Sequence, residues 1–129
     1  MNAMTEPMPR VSRVALPPEP ESVRAARRLV RSVLSALTAR RREHAELMVS
    51  ELTANAVRHA GEEFTVVIDV RDSHVRVEVH DPEPALPNMR RPDVGDTSGR
   101  GLQIVSELAD RWGTEPTDQG KTVWFELDG

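Results

Sequence analysis

Two polar side chains, Glu51 and Asn55, lie four residues apart in a segment whose apolar residues recur with helical spacing. Residues four apart share one face of a helix, so the carboxylate and the amide oxygen would project side by side. Oxygen ligands of this kind suit Mg²⁺, which keeps several waters and usually also binds phosphate. The carboxylate could also orient or deprotonate a hydroxyl group. The alternative interpretation is a helix with two polar surface residues.

A second set of groups suited to a phosphate precedes another apolar helical pattern, at Gly99, Arg100 and Gly101. Glycines at such a place let the backbone approach an anion, and the helix N-terminus supplies free N–H groups and a favourable dipole. A flexible loop that ends in a helix cap is the alternative. The segment is neither a Walker motif nor a complete dinucleotide-binding fingerprint.

Two strand ends carry further candidates. Asp81 follows an alternating strand pattern. A carboxylate at this strand end could accept a hydrogen bond from an exocyclic amine such as that of adenine. The alternative is that Asp81 initiates a turn before Pro82. Thr122 opens the last strand and could reach a ligand through water, whereas Lys121 beside it fits a solvated strand-end charge equally well. His59 lies one turn beyond Asn55, but no second histidine has helical spacing to it, so a transition-metal site has little support.

The elements that must position these residues follow from hydrophobic periodicity. We predict a short edge strand over residues 14–16, helices over 21–37 and about 42–59, strands over 64–70 and 75–79, a loop over 81–98, a helix from about residue 101, and strands over 112–115 and 121–127. This order predicts an α+β fold, a two-layer sandwich with the helices on one face of a mixed, mainly antiparallel sheet. We expect residues 1–13 to be a flexible tail and residues 14–129 to form one domain.

Composition excludes several classes of function. The chain has 129 residues and no cysteine, which fits one domain and excludes disulfides, Cys-ligated metals and thiol catalysis. No apolar run approaches the roughly 20 residues that span a bilayer, and the N-terminus lacks the apolar core of a signal peptide. We therefore expect a cytoplasmic protein without membrane contact. Aromatic residues are only 3%, too few for extensive stacking on single-stranded nucleic acid.

Charge is distributed unevenly along the chain. Residues 1–42 carry nine Arg and three Glu, whereas the remainder carries 8 basic and 18 acidic residues. A basic segment can bind nucleic acid or an acidic protein, and a solvated helix face is the alternative. Because the acidic remainder opposes DNA, we do not expect direct nucleic-acid binding.

The motifs and their order together resemble the GHKL ATP-binding fold of histidine kinases and gyrase-type ATPases. The segments SELTANAVRHAG, SGRGLQIVSELADRWG and GKTVWFEL carry the resemblance, which covers roughly residues 14–127. The short, single-domain form is similar to the anti-sigma factor serine/threonine kinases, and closest to the ATP-binding regulatory proteins of that group in actinobacteria. It implies ATP and Mg²⁺ as cofactors, and a sigma factor or an anti-sigma antagonist protein as partner. It leaves a homodimer open.

The resemblance also implies a role for each matching residue. Asn55 matches the amide that ligates Mg²⁺, and Glu51 matches the acidic residue that polarises the nucleophile. Asp81 matches the carboxylate that binds the adenine amine, and Thr122 matches the threonine that supports the adenine site. Gly99, Arg100 and Gly101 match the loop that covers the phosphates, and the segment between Asp81 and Ser98 would be its lid.

One motif departs from the family pattern. Where the family reads D-x-G-x-G, this sequence reads Asp81-Pro82-Glu83-Pro84-Ala85, so both glycines are absent and two prolines stiffen the segment. The resemblance therefore leaves two functions open. The first is a protein kinase that phosphorylates an antagonist protein, and the second is a catalytically silent interaction module that regulates transcription by partner binding.

Overall fold

A computed structural model describes residues 10–35, 37–59, 61–82 and 97–128, with only the backbone of residues 97–100. Along the chain it contains β1 (Arg10–Leu16), α1 (Glu21–Val33), α2 (Ala39–His59), β2 (Phe64–Arg71), β3 (His74–Asp81), α3 (Thr97–Leu108), β4 (Arg111–Thr117) and β5 (Gly120–Leu127). The helices and strands follow the predicted order, and the α+β fold class is confirmed.

The five strands form one sheet in the order β1-β2-β3-β5-β4, and all neighbours among the described strands run antiparallel. The sheet is therefore antiparallel throughout the described residues rather than mixed. The strand β5 lies between β3 and β4, so the last strand of the chain occupies the interior of the sheet next to β3. The strands β1 and β4 form its edges.

The core lies between the sheet and the helices. Alternate residues of β2, β3 and β5 face the helices and are fully buried, as Val66, Val77 and Phe125 show. The helices α1 and α2 contribute the facing layer, with Val30 and Met48 both inaccessible to solvent. The strands β2, β3 and β5 thus each bury their helix-facing side, as the period of two in the sequence predicts.

One boundary of α1 and one of α2 differ from the prediction for identifiable reasons. The helix α2 begins at Ala39, because the Thr38 hydroxyl oxygen accepts a hydrogen bond from the backbone N–H of Arg41 at 3.2 Å and so caps the helix three residues early. The helix α1 ends at Val33, not at residue 37, and buried Leu34 turns the chain there toward α2.

The N-terminal strand is longer than expected. Residues 10–13, which we assigned to a flexible tail, pair with β2 in the same antiparallel register as the rest of β1. The pairing of Arg10 with Val70 begins this register, and that of Leu16 with Phe64 ends it. The apolar alternation does not extend over residues 10–13, because Arg10 and Ser12 occupy the helix-facing positions there, whereas Val11 lies on the opposite face and is 60% exposed.

Candidate nucleotide-binding site

The helices α2 and α3 cross where Glu51 and Asn55 lie. A Cβ atom added to Gly101 of α3 would stand 3.3 Å from the Asn55 amide nitrogen and 3.4 Å from the Glu51 carboxylate oxygen Oε1. Gly101 itself is buried. The glycine thus lets the backbone of α3 pack directly against the two polar side chains, and the structure brings three of the predicted site residues together.

The glycines Gly99 and Gly101 lie within α3, which differs from the prediction. We expected α3 to begin at about Gly101 with Gly99 in the loop before it, but α3 begins at Thr97 and includes Gly99, Arg100 and Gly101 in its first turns. Glycine is a poor helix former, costing about 1 kcal/mol relative to alanine, so the sequence favoured a loop. The contact with α2 supplies the stabilisation that local propensity lacks.

The amide oxygen of Asn55 has a protein partner in this structure. The Arg58 guanidinium donates a hydrogen bond to Asn55 Oδ1 at 2.6 Å, one turn along α2. Asn55 and Glu51 are both half-buried. Mg²⁺ is commonly held by one or two protein oxygens together with substrate phosphates, and these two oxygen donors beside a close-packed glycine fit that arrangement.

Asp81, the predicted adenine ligand, is buried and paired with a lysine. Its carboxylate oxygen Oδ2 lies 3.2 Å from Lys121 Nζ, and the two side chains are only 6% and 12% exposed. The residues are direct neighbours across the β3–β5 pairing. Lys121 is therefore not a solvated strand-end charge, and its place beside Asp81 is the feature of the site that our sequence reasoning missed.

The backbone at the start of β5 is pressed against the end of β3. Gly120 has a φ of +154°, and a Cβ atom there would overlap the Asp81 carbonyl oxygen and lie 2.7 Å from two Pro82 backbone atoms. Only glycine fits such an approach without displacement of the neighbouring backbone. Gly120 therefore fixes the position of Lys121 relative to Asp81.

Thr122 is not brought to the same face as Asp81. It pairs with His80, and side chains alternate along a strand, so Thr122 and His80 point to the face opposite to Asp81 and Lys121. Thr122 is nevertheless buried, at 4% exposure. Its role at the adenine site stays a prediction, and Lys121 occupies the helix-facing position next to Asp81.

Chain connections place both parts of the site at one end of the sandwich. β2 begins at Phe64, five residues after α2 ends at His59, a distance of at most about 17 Å. The start of β2 lies beside the end of β3, since Thr65 pairs with His80. The second half of α2, the end of β3 and the start of β5 therefore lie near one another.

The predicted lid lies mostly outside the described residues. Of the loop expected over residues 81–98, the structure describes residues 81–82 and the backbone of 97–98, so the altered motif Glu83-Pro84-Ala85 cannot be compared with the geometry above. Among the residues that are described, no group of three or more His, Asp or Glu side chains could hold a metal ion.

The arginines of the N-terminal segment are partly engaged by the rest of the protein. Arg31 forms a two-point contact with Glu46, its Nη2 lying 2.9 Å from Oε1, and the Arg27 Nε donates to the Ser50 hydroxyl at 3.0 Å. The hydrogen bond from Arg31 to Glu46 raises the pKa of the guanidinium. These contacts hold α1 on α2 and favour a structural role for the basic residues involved.

The sheet face opposite to the helices carries a network of ion pairs. Arg76 lies over the Trp124 ring at 4.2 Å and contacts the carboxylates of Glu78 and Glu126 at 2.7 and 2.8 Å. Burial alone would raise the pKa of Glu78, but hydrogen bonds from Arg76 and His80 outweigh it and lower that pKa. The network ties β3 to β5, the two strands that carry Asp81 and Lys121.

Within the part of the chain that the structure describes, no helix has the length and apolar character needed to cross a membrane. An uncharacterized protein of Streptomyces coelicolor is 35% identical over 86 residues, which cover 63% of this chain and 82% of that protein. A family model described as a histidine kinase-like ATPase domain matches residues 16–127, which include β2 to β5 and all three helices. The chain therefore belongs to the histidine kinase-like ATPase family, a membership that implies ATP binding, usually with Mg²⁺.

Proposed function

We propose that the protein is a Mg²⁺- and ATP-dependent serine/threonine protein kinase of the anti-sigma factor type. The observation that carries the proposal is the packing of Glu51 and Asn55 against Gly101, which combines a carboxylate, an amide oxygen and the first turns of α3. These are a base, a metal ligand and a source of backbone N–H groups. Phosphoryl transfer needs little more from a protein than such positioning and charge neutralisation.

In this proposal Asn55 ligates the Mg²⁺ that accompanies ATP. Arg58 now donates to the same amide oxygen, so metal binding would release the guanidinium from Asn55, and a nearby phosphate oxygen is a suitable new acceptor. Gly99, Arg100 and Gly101 would lie along the phosphates, and Asp81 would accept a hydrogen bond from the adenine amine. The buried position of Asp81 supports this role, because a base recognised there is shielded from water.

The transfer step uses Glu51. A serine or threonine hydroxyl of the partner forms a bond to the γ-phosphorus of ATP, the bond between that phosphorus and the ADP oxygen breaks, and the hydroxyl proton passes to the Glu51 carboxylate. The products are a phosphorylated partner and ADP. The partner we propose is a cytoplasmic antagonist protein whose modification leaves the kinase bound to a sigma factor.

Isothermal titration with ATP and Mg²⁺ tests the binding part of the proposal. We expect Asn55→Ala to lose Mg²⁺-dependent ATP binding while its circular dichroism still shows the folded protein, because the side chain is half-buried and outside the apolar core. Arg28→Ala, an exposed change on α1, is the control and should bind as the parent does. An Asn55→Ala variant that binds ATP and Mg²⁺ normally would remove Asn55 from the site.

A catalytically silent interaction module is the second candidate, and one observation favours it. Pro82 and Pro84 stand in the segment where the family carries glycines, which restricts backbone approach to a nucleotide. Transfer of radiolabelled phosphate from ATP to a partner protein, lost in Glu51→Ala, would exclude the silent module. ATP binding without transfer to any candidate partner would favour it.

A further inference from the structure

We propose that Lys121 is a base-reading residue that acts with Asp81, donating a hydrogen bond to the adenine ring nitrogen beside the exocyclic amine. The inference rests on the proposed function, since it assumes that ATP binds with its base at Asp81. It names Lys121 as a specificity-determining residue of that site.

The first observation is the burial of two opposite charges at a strand end. Lys121 Nζ lies 3.2 Å from Asp81 Oδ2, with 12% and 6% of the two side chains exposed. A lysine is almost never so buried unless its charge is paired, because removing an ammonium from water is costly. The pairing with Asp81 offsets that cost, and it places the ammonium beside the carboxylate that the proposed function assigns to the adenine amine.

The second observation is that the pairing of β3 with β5 sets the positions of Asp81 and Lys121. Asp81 and Lys121 are opposite one another in the β3–β5 register, and side-chain alternation directs both toward the helix layer. Gly120 holds the start of β5 against the Asp81 carbonyl and Pro82. The carboxylate and the ammonium are therefore presented together, in a geometry that the sheet determines.

The third step is chemical complementarity. Adenine shows a donor, the amine at N6, next to an acceptor on the ring, which is N1 on one side and N7 on the other. A carboxylate accepts only, and an ammonium donates only, through three N–H groups that can serve a carboxylate and a second acceptor together. Asp81 and Lys121 therefore match the amine and its neighbouring ring nitrogen as a pair.

The test uses the unaltered protein and two analogues of ATP, in which carbon replaces ring nitrogen N1 or N7. We expect one of them to bind at least about tenfold more weakly than ATP, the loss typical of a hydrogen bond to a charged group. The other analogue is the matched control and should bind as ATP does, which also identifies the nitrogen. Equal affinity for all three nucleotides would overturn the inference while leaving the proposed function intact, whereas absence of ATP binding would overturn both.

Variants at position 121 assign the effect to the lysine. Lys121→Met should abolish the difference between ATP and the weaker analogue, and Lys121→Arg, which keeps the charge, should retain part of it. If Lys121→Met binds ATP more tightly than the parent, the lysine only competes with the amine for Asp81, and the inference is wrong. Because the analogue comparison needs no substitution, it shows whether a ring nitrogen is read even if Lys121→Met unfolds, and Lys121→Arg then tests whether the lysine reads it.

Discussion

Substitution of Gly120 by alanine tests the close approach on which the geometry of the site depends. The new methyl group would overlap the Asp81 carbonyl oxygen and lie 2.7 Å from the Cα and the carbonyl carbon of Pro82. All three are backbone atoms at the end of β3, so no side-chain rotation can relieve the contact. Either β5 moves away from β3 or the end of β3 shifts.

The expected loss of stability has two parts. A positive φ costs a residue with a Cβ atom about 1–3 kcal/mol where the conformation is sparsely populated, and forcing extra volume into packed structure costs typically about 1–3 kcal/mol. Alanine lowers the conformational entropy of the unfolded chain relative to glycine, which offsets about 0.4–1 kcal/mol of this loss. We expect a net decrease of about 2–4 kcal/mol in the free energy of unfolding.

Gly61→Ala is a matched control. Gly61 also has a positive φ, of +66°, but a Cβ atom there meets nothing within 4 Å among the residues that the structure describes. Gly61→Ala therefore has the same unfolded-state gain as Gly120→Ala and a backbone cost typical of the left-handed region, but it lacks the overlap, and we expect a loss of about 1 kcal/mol. Urea unfolding followed by circular dichroism measures both variants against the parent.

The difference in the free energy of unfolding between Gly120→Ala and Gly61→Ala tests the close approach of β5 to β3. If Gly120→Ala is no less stable than Gly61→Ala, the backbone of β5 does not press on Asp81 and Pro82 as described. Nucleotide binding supplies a second measurement, because a displaced β5 would separate Lys121 from Asp81. Gly120→Ala should therefore weaken ATP binding, whereas Gly61→Ala should leave it unchanged.

Two further predictions concern the sheet face opposite to the helices. Hydrogen bonds from Arg111 and then His74 lower the pKa of Asp128 from 3.8 to about 2, so this carboxylate stabilises the folded protein above pH 3.8 and loses that effect as the pH falls toward 2. In urea titrations between pH 3.8 and 2, the free energy of unfolding of Asp128→Asn should fall less steeply with decreasing pH than that of the parent. An unchanged dependence on pH would show that the hydrogen bonds of Asp128 contribute nothing to stability. Gly113→Ala would place a methyl group 2.9 Å from the Trp124 ring. In a Trp112→Phe background it should shift the Trp124 emission maximum to longer wavelength, and an unaltered spectrum would contradict this contact.

The helices and strands were predictable because their apolar residues repeat with clear periods. The stripe containing Met48 and Leu52 predicted α2, and the alternation from Val75 to Val79 predicted β3. The first turn of α3 was not predictable, because Gly99 and Gly101 disfavour helix locally, and the packing of Gly101 against α2 is not visible in the sequence. Sequence periodicity reports local burial, and this contact joins residues far apart in the chain.

The candidate site was predictable in part. Glu51 and Asn55 followed from helical spacing, and the structure adds their contact with Gly101. Lys121 could not be assigned, because a charged residue at the start of a strand is ordinarily exposed, and its burial depends on the register between β3 and β5. The position of Thr122 depends on the same register, since a shift of one residue exchanges the two faces of a strand.

The proposed nucleotide site is complete only after β3 has paired with β5. Asp81 and Lys121 belong to strands separated in the chain by the whole of α3 and β4, and they meet only when this non-local pairing forms. A partly folded chain with the helices and β1–β3 in place would have Glu51, Asn55 and Asp81 but no Lys121. Because loss of the Lys121 contact is expected to weaken binding about tenfold, saturating ATP would favour the native state over such a chain by about 1.4 kcal/mol. Cellular ATP would in this way protect the protein from the proteases that degrade partly folded chains.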